Sequence, residues 1–116
     1  MRHRKKGKTL GRKKGPKEAM LRNLATSVVL YERVKTTEAK AKAVKPVVEK
    51  YVTVSRKNDL STRRKMLKFF YDKKAVDKLL EELGPRYKDR KGGYMRITKI
   101  GQRKGDGAKT VQLEFV

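Results

Sequence analysis

The sequence predicts an α+β fold: about four helices packed on a small sheet that ends in a C-terminal β-hairpin, with a basic N-terminal extension ahead of them. Helical apolar spacing fills the stretch from about residue 16 to residue 83. Strict two-residue alternation then appears at Lys109-Thr110-Val111-Gln112-Leu113-Glu114-Phe115-Val116, which puts Val111, Leu113 and Phe115 on one face. The first fifteen residues have neither pattern, and after Met1 their only large apolar side chain is Leu10.

That first segment, residues 1–15, carries Arg2, His3, Arg4, Lys5, Lys6, Lys8, Arg12, Lys13 and Lys14, and no acidic residue precedes Glu18. It buries too little apolar surface to offset the entropy of ordering, so it reads as an arm that is disordered when free. A single domain over 16–116 follows. Pro16 suits the first turn of a helix, where its missing N–H is not needed. Met20, Leu24, Val28 and Tyr31 form an apolar stripe, with Arg22, Asn23 and Thr26 off it. Arg33-Val34-Lys35-Thr36 is short and partly β-branched; because a two-stranded hairpin alone is marginal, Val34 is expected in a third strand.

Thr36 or Thr37 caps the next helix, and Glu38 suits the positive end of its dipole. Val44, Val47, Val48, Tyr51 and Val52 follow the i, i+3, i+4, i+7, i+8 template. Pro46 is expected to kink or restart that helix. Leu60, Leu67 and Phe70 indicate a third helix bearing Arg63, Arg64, Lys65 and Lys68. A fourth, capped by Asp72, has Val76, Leu79, Leu80 and Leu83 as its stripe and Gly84-Pro85 as its stop. A basic loop runs from Arg86 to Gly93, then a strand over residues 94–100, and Asp106-Gly107 signals the hairpin turn.

The 34 Lys plus Arg against 12 Asp plus Glu leave a formal charge of +22. Self-repulsion of that size opposes compaction, and a polyanion relieves it, each neutralised phosphate also releasing a counterion. A membrane is not the indicated polyanion: no window approaches the ~20 apolar residues of a spanning helix, and the N-terminus lacks a signal peptide's apolar core. There is no cysteine, hence no disulfide or thiolate metal site, which fits a reducing interior. No cofactor or small-molecule substrate is indicated.

Catalysis finds no support. The acids are scattered, and the adjacent Glu81 and Glu82 diverge by about 100° on a helix, so they do not face each other. His3 lies in the arm, where nothing orients it. Gly105-Asp106-Gly107-Ala108-Lys109-Thr110 lacks the spacing of a nucleotide-binding loop and precedes a strand rather than a helix. The basic clusters are the arm, Arg33 with Lys35, Arg63 to Lys65, and the loops carrying Arg86, Arg90, Lys91, Arg96, Arg103 and Lys104. Arg and Lys meet phosphates directly. Tyr87 and Tyr94 flank a glycine-rich loop, where each either stacks on an unpaired base or packs in the core. Clusters spread along the whole chain suit a protein that fills gaps among several RNA segments. A free nucleic-acid chaperone or DNA-compacting protein would use the same charge, and an enzyme acting on nucleic acid would need a carboxylate cluster that is missing.

Six runs carry a resemblance: Met1-Arg2-His3; Met20-Leu21-Arg22-Asn23; Val34-Lys35-Thr36-Thr37-Glu38; Leu83-Gly84-Pro85-Arg86-Tyr87; Arg90-Lys91-Gly92-Gly93-Tyr94-Met95-Arg96-Ile97; and Arg103-Lys104-Gly105-Asp106-Gly107-Ala108. In this order and spacing the chain resembles the bacterial large-subunit ribosomal protein seventeen family over nearly its whole length. The resemblance implies a non-catalytic α+β protein without a cofactor, in the ribosome of the cytoplasm. It implies binding to large-subunit ribosomal RNA near the exit of the nascent-peptide tunnel, beside neighbouring ribosomal proteins. By family position the RNA contacts are the arm from Arg2, Arg22 with Asn23, Lys35 with Thr36, and the loop Arg90, Gly92, Gly93, Tyr94 and Arg96; Arg33, Arg63 and Arg64 join them on charge. The chain departs from the family at Gly11-Arg12-Lys13-Lys14-Gly15-Pro16, where many members carry Asn-Arg-Asn-Ser-Ser, so phosphate contacts would replace amide and hydroxyl ones. It departs again at Pro46.

Overall fold

Capping chemistry sets the helix starts in the computed structural model, which describes residues 14–102 and 104–116. Asp59 and Asp72 accept the backbone N–H of Thr62 and Lys74, both at 2.8 Å, and Thr37 accepts that of Lys40. The elements are α1 (Lys14–Tyr31), β1 (Arg33–Thr37), α2 (Glu38–Val54), α3 (Leu60–Phe69), α4 (Lys73–Lys78), a π-helical turn (Leu79–Leu83), α5 (Gly84–Arg86), β2 (Met95–Gln102) and β3 (Lys109–Phe115). The third strand expected around Val34 is β1. The sheet is antiparallel in the order β1-β3-β2, so the C-terminal strand lies in the middle.

The core lies between the helices and the inner face of the sheet. From β3 come Val111, Leu113 and Phe115, from α2 Ala41, Val44, Val48 and Val52, and from the last helical stretch Val76, Leu79, Leu80 and Leu83. The alternation read in the sequence for β3 and the stripe read for the fourth helix are therefore the buried ones.

Three local expectations are corrected. Tyr31 lies off the packed face of α1 and is 71% exposed, whereas Ala25, Val28 and Val29 are buried. The buried face is rotated toward the smaller residues, whose size lets helices approach closely. Pro46 does not restart the helix: α2 is continuous through it to Val54. It sits on the exposed side of α2, as does Lys42, whose carbonyl it deprives of a donor. Gly84-Pro85 does not stop the fourth helix either. The Gly84 N–H bonds to the Leu79 carbonyl, the π-helical i→i−5 pattern, and helical backbone continues to Arg86. Proline offers no N–H and its ring crowds the carbonyl four residues back; the wider turn accommodates both.

Glu32 ends α1 in the left-handed region, at φ 63. Its carboxylate accepts Arg86 Nη1 at 2.5 Å and Nη2 at 3.2 Å, and Lys78 Nζ at 3.0 Å. Chiefly through the Arg86 guanidinium, the carboxyl is held down at about 2. A lowered folded-state value stabilises the fold above the unfolded pKa and is lost as pH falls through the folded one. Because the pair is partly solvated, Glu32→Gln is expected to cost only about 1–2 kcal/mol at pH 7. Urea denaturation should show this difference shrinking between pH 5 and pH 2, whereas a pH-independent cost would refute the ion-pair account.

Candidate nucleic-acid interface

The most preorganised basic segment is the connection from α5 to β2. Its chain turns through Lys88 N–H to Pro85 O (3.3 Å) and Arg90 N–H to Tyr87 O (3.0 Å). Gly92 and Gly93 follow with φ 78 and 64, and nothing lies within 4 Å of where a Cβ would stand on either. Conformation rather than space therefore calls for glycine at both. The Gly92 backbone hydrogen-bonds to the Tyr94 hydroxyl, which fixes the end of the turn. Arg90 and Lys91 are exposed beside them.

The inner side of this loop is anchored by Tyr94, which is 0% exposed. Its ring packs on Tyr87 at 5.2 Å and under the Arg56 guanidinium at 5.4 Å. Its hydroxyl meets Thr53 Oγ1 at 3.0 Å and Arg56 Nη2. Burial pushes that hydroxyl up, but hydrogen bonds with Thr53 and the Gly92 backbone and the Arg56 charge outweigh it, leaving the group below its ordinary value. Of the two readings for Tyr87 and Tyr94, core packing fits the burial of both rings; neither offers a free face to a base.

A second basic surface is the outer face of the sheet, the face opposite the helices. Strand register places Arg33, Glu114 and Arg96 in one row across β1, β3 and β2, and Lys35, Gln112 and Thr98 in the next. Arg33, Lys35 and Arg96 are exposed. Arg96 Nε lies 3.4 Å from Glu114, which also accepts from Thr98 at 3.2 Å. Strand alternation turns Thr36 the other way, toward α1. There it lines a groove of about 410 Å³ with Asn23, Ser27 and Lys40 at the rim and Met20 and Leu24 on the apolar wall. Asn23 and Thr36, thirteen residues apart in the chain, thus share one site.

The other candidates are dispersed. Arg22 is half-buried, stacked at 5.5 Å over Phe69 and reaching the Lys68 carbonyl at 3.4 Å, so it ties α1 to α3. Arg63 is paired with Asp77 at 2.7 Å. Arg64, one residue on, is exposed. Lys14 opens α1; Arg2, His3, Arg4, Lys5, Lys6, Lys8, Arg12, Lys13 and Arg103 lie outside the described residues. Sequence reasoning missed Lys40 and Arg56. Lys40 reads as ordinary helix surface until Thr36 and α1 are placed beside it. Arg56 reads as one of two ordinary cations, with Lys57, after a helix end, and only the return of the chain at Tyr87–Tyr94 gives it partners. Among the described residues, no three His, Cys, Asp or Glu side chains gather to hold a metal ion, and no helix is long and apolar enough to cross a membrane.

The family described as Ribosomal protein L17 matches residues 20–116. Large ribosomal subunit protein bL17 of Syntrophotalea carbinolica is 46% identical over 116 residues, all of this chain and 75% of its own. The bL17 proteins of Thermoanaerobacter sp. and Carboxydothermus hydrogenoformans are each 49% identical over 107 residues, covering 92% of this chain and 96% of theirs. With the match spanning every element from the middle of α1 to the end of β3, the chain belongs to the ribosomal protein L17 family.

Proposed function

We propose that this chain is a structural, non-enzymatic constituent of the large ribosomal subunit that binds and stabilises folded ribosomal RNA. The observation that carries the RNA reading is the distribution of exposed cations over separate parts of one small fold. They lie on the open face of the sheet (Arg33, Lys35, Arg96), at the Gly92-Gly93 loop (Arg90, Lys91) and on α3 (Arg64, Lys65, Lys68), with the half-buried Lys40 at the groove beside α1 and β1. A DNA-compacting protein needs one basic track along a duplex. Cations on several faces suit a wedge among several RNA segments. The placement near the tunnel exit and the cytoplasmic setting rest on the family resemblance. Leu60, Leu67 and Tyr71 are each exposed, at and just beyond α3.

Fractionation of a lysate on sucrose gradients at moderate and high salt, with quantification by mass spectrometry, tests this. About one copy per large subunit, retained at high salt, is expected. If eight phosphates of single-stranded RNA were engaged, log K against log salt would have a slope of about −6 for the free protein and RNA. Release into the free or DNA-bound fraction at moderate salt would overturn the ribosomal reading.

A further inference from the structure

Arg56 is surrounded by groups that a cation does not need for charge balance. Nη2 lies within reach of the Tyr87 carbonyl at 2.9 Å, the Arg90 carbonyl and the Tyr94 hydroxyl, three acceptors around its two N–H groups, while the guanidinium lies over the Tyr94 ring. All of these partners are neutral, and all belong to the stretch 87–94. Arg56 itself stands in the turn after α2, held by its own N–H to the Thr53 carbonyl. Thr53, one helical turn before it, reaches the same Tyr94 hydroxyl. The end of α2 therefore grips the loop at its beginning, its middle and its end.

We infer that Arg56 is the positioning residue of the RNA-binding loop: it holds Arg90, Lys91, Gly92 and Gly93 in their phosphate-receiving arrangement from behind, without touching RNA. This rests on the RNA-binding reading above and deepens it. The loop's own bonds are the turns at Lys88 and Arg90 and the contact of the Gly92 backbone with Tyr94; Arg56 adds the tie from the middle of the loop to the end of α2. Its two glycines adopt positive φ with open space where a Cβ would stand, and residues 88–91 are exposed. Left alone, such a segment samples many conformations, and fixing it on binding would cost affinity. A guanidinium set between two carbonyls and a phenol, with its flat face on the Tyr94 ring, supplies that order in advance. Lysine cannot: its ammonium has no planar face to stack on that ring.

The test uses the full chain with Arg56→Lys and Arg56→Gln, measured against large-subunit RNA over a salt series, with hydrogen exchange on the free protein. A positioning role predicts that both variants lose about tenfold in affinity, as expected for leaving hydrogen-bonded groups without their partner. It also predicts salt slopes parallel to that of the unaltered chain, because no phosphate contact is removed. Exchange should rise in 88–93 and stay unchanged in α2 and β3. Thr53→Val, which changes no charge, should give a smaller loss at the same slope, and it keeps the test valid if the Arg56 variants fold poorly. If Arg56→Lys binds normally while Arg56→Gln binds weakly with a shallower slope, Arg56 contacts phosphate itself and the inference fails. Unchanged exchange in the loop also overturns it. Failure of the unaltered chain to bind RNA would instead refute the RNA-binding reading, and the exchange data would still decide whether Arg56 orders the loop.

Discussion

Replacing Gly84 with alanine is expected to destabilise the protein by about 2–3 kcal/mol, the range of overpacking a filled site. Helix propensity alone predicts the opposite sign: glycine to alanine within a helix normally stabilises by roughly 0.5–1 kcal/mol. Space decides against it. A Cβ on Gly84 would stand 2.8 Å from the Ser55 carbonyl oxygen, 2.9 Å from Ser55 Oγ and 3.1 Å from the Leu79 carbonyl oxygen. None of these can move easily. Ser55 is 1% exposed, its N–H bonds to the Tyr51 carbonyl at 2.9 Å, and its hydroxyl donates to the Val52 carbonyl at 2.6 Å. Relief would require the end of α2 to separate from the π turn, which also carries Arg56 away from the loop it holds. Thermal unfolding followed by circular dichroism should show a fall in Tm on the order of 10 °C. Adding Ser55→Ala should recover only part of the loss, since the backbone carbonyl remains. A Gly84→Ala protein as stable as the unaltered chain would show that the close approach of α2 to the π turn is wrong.

The largest expected effect on RNA binding follows from clearing the open face of the sheet with Arg33→Ala, Lys35→Ala and Arg96→Ala together. If each meets one phosphate, the salt slope becomes shallower by about 2–3, and affinity near 0.15 M salt falls roughly a hundredfold. Stability should change little. Arg33 and Lys35 have no ion pair among the described residues, and the Arg96–Glu114 pair is exposed on its cationic side, where such pairs contribute about 0–1 kcal/mol. Glu114 lies between Arg33 and Arg96 in the row, so removing both leaves a lone carboxylate facing the RNA and adds repulsion to the lost attraction. Filter binding across a salt series separates the outcomes. A parallel line displaced downward would mean that the face acts through shape, and an unchanged line would mean that RNA lies elsewhere on the fold.

Local chemistry explains why so much of the fold was legible in the chain. Asp72 and Thr37 cap the helices they precede because the cap bond spans two or three residues. Val111, Leu113 and Phe115 pack inward because alternation leaves a strand no other apolar face. The third strand was legible too, because an isolated hairpin lacks enough partners to stand alone. On the functional side, charge and glycine content mark the basic surfaces without any fold, since phosphate attraction is long-ranged and does not depend on exact placement.

What only the tertiary structure decided are the features made by groups far apart in the chain. Gly84-Pro85 looks like a helix stop, but the packing of the π turn on Ser55 keeps the backbone helical to Arg86. Tyr31 follows the apolar spacing of α1, yet the buried face of that helix is the one its neighbours cover. Tyr94 could face RNA or core by sequence; Thr53 and Arg56, about forty positions earlier, draw it inside. The sequence by itself determined the elements, their order and the polyanionic character of the partner, because periodicity, capping and net charge are properties of neighbouring residues or of the whole. Only the folded chain decided which cations reach out and which hold the others in place, because that depends on the groups each one meets across the core.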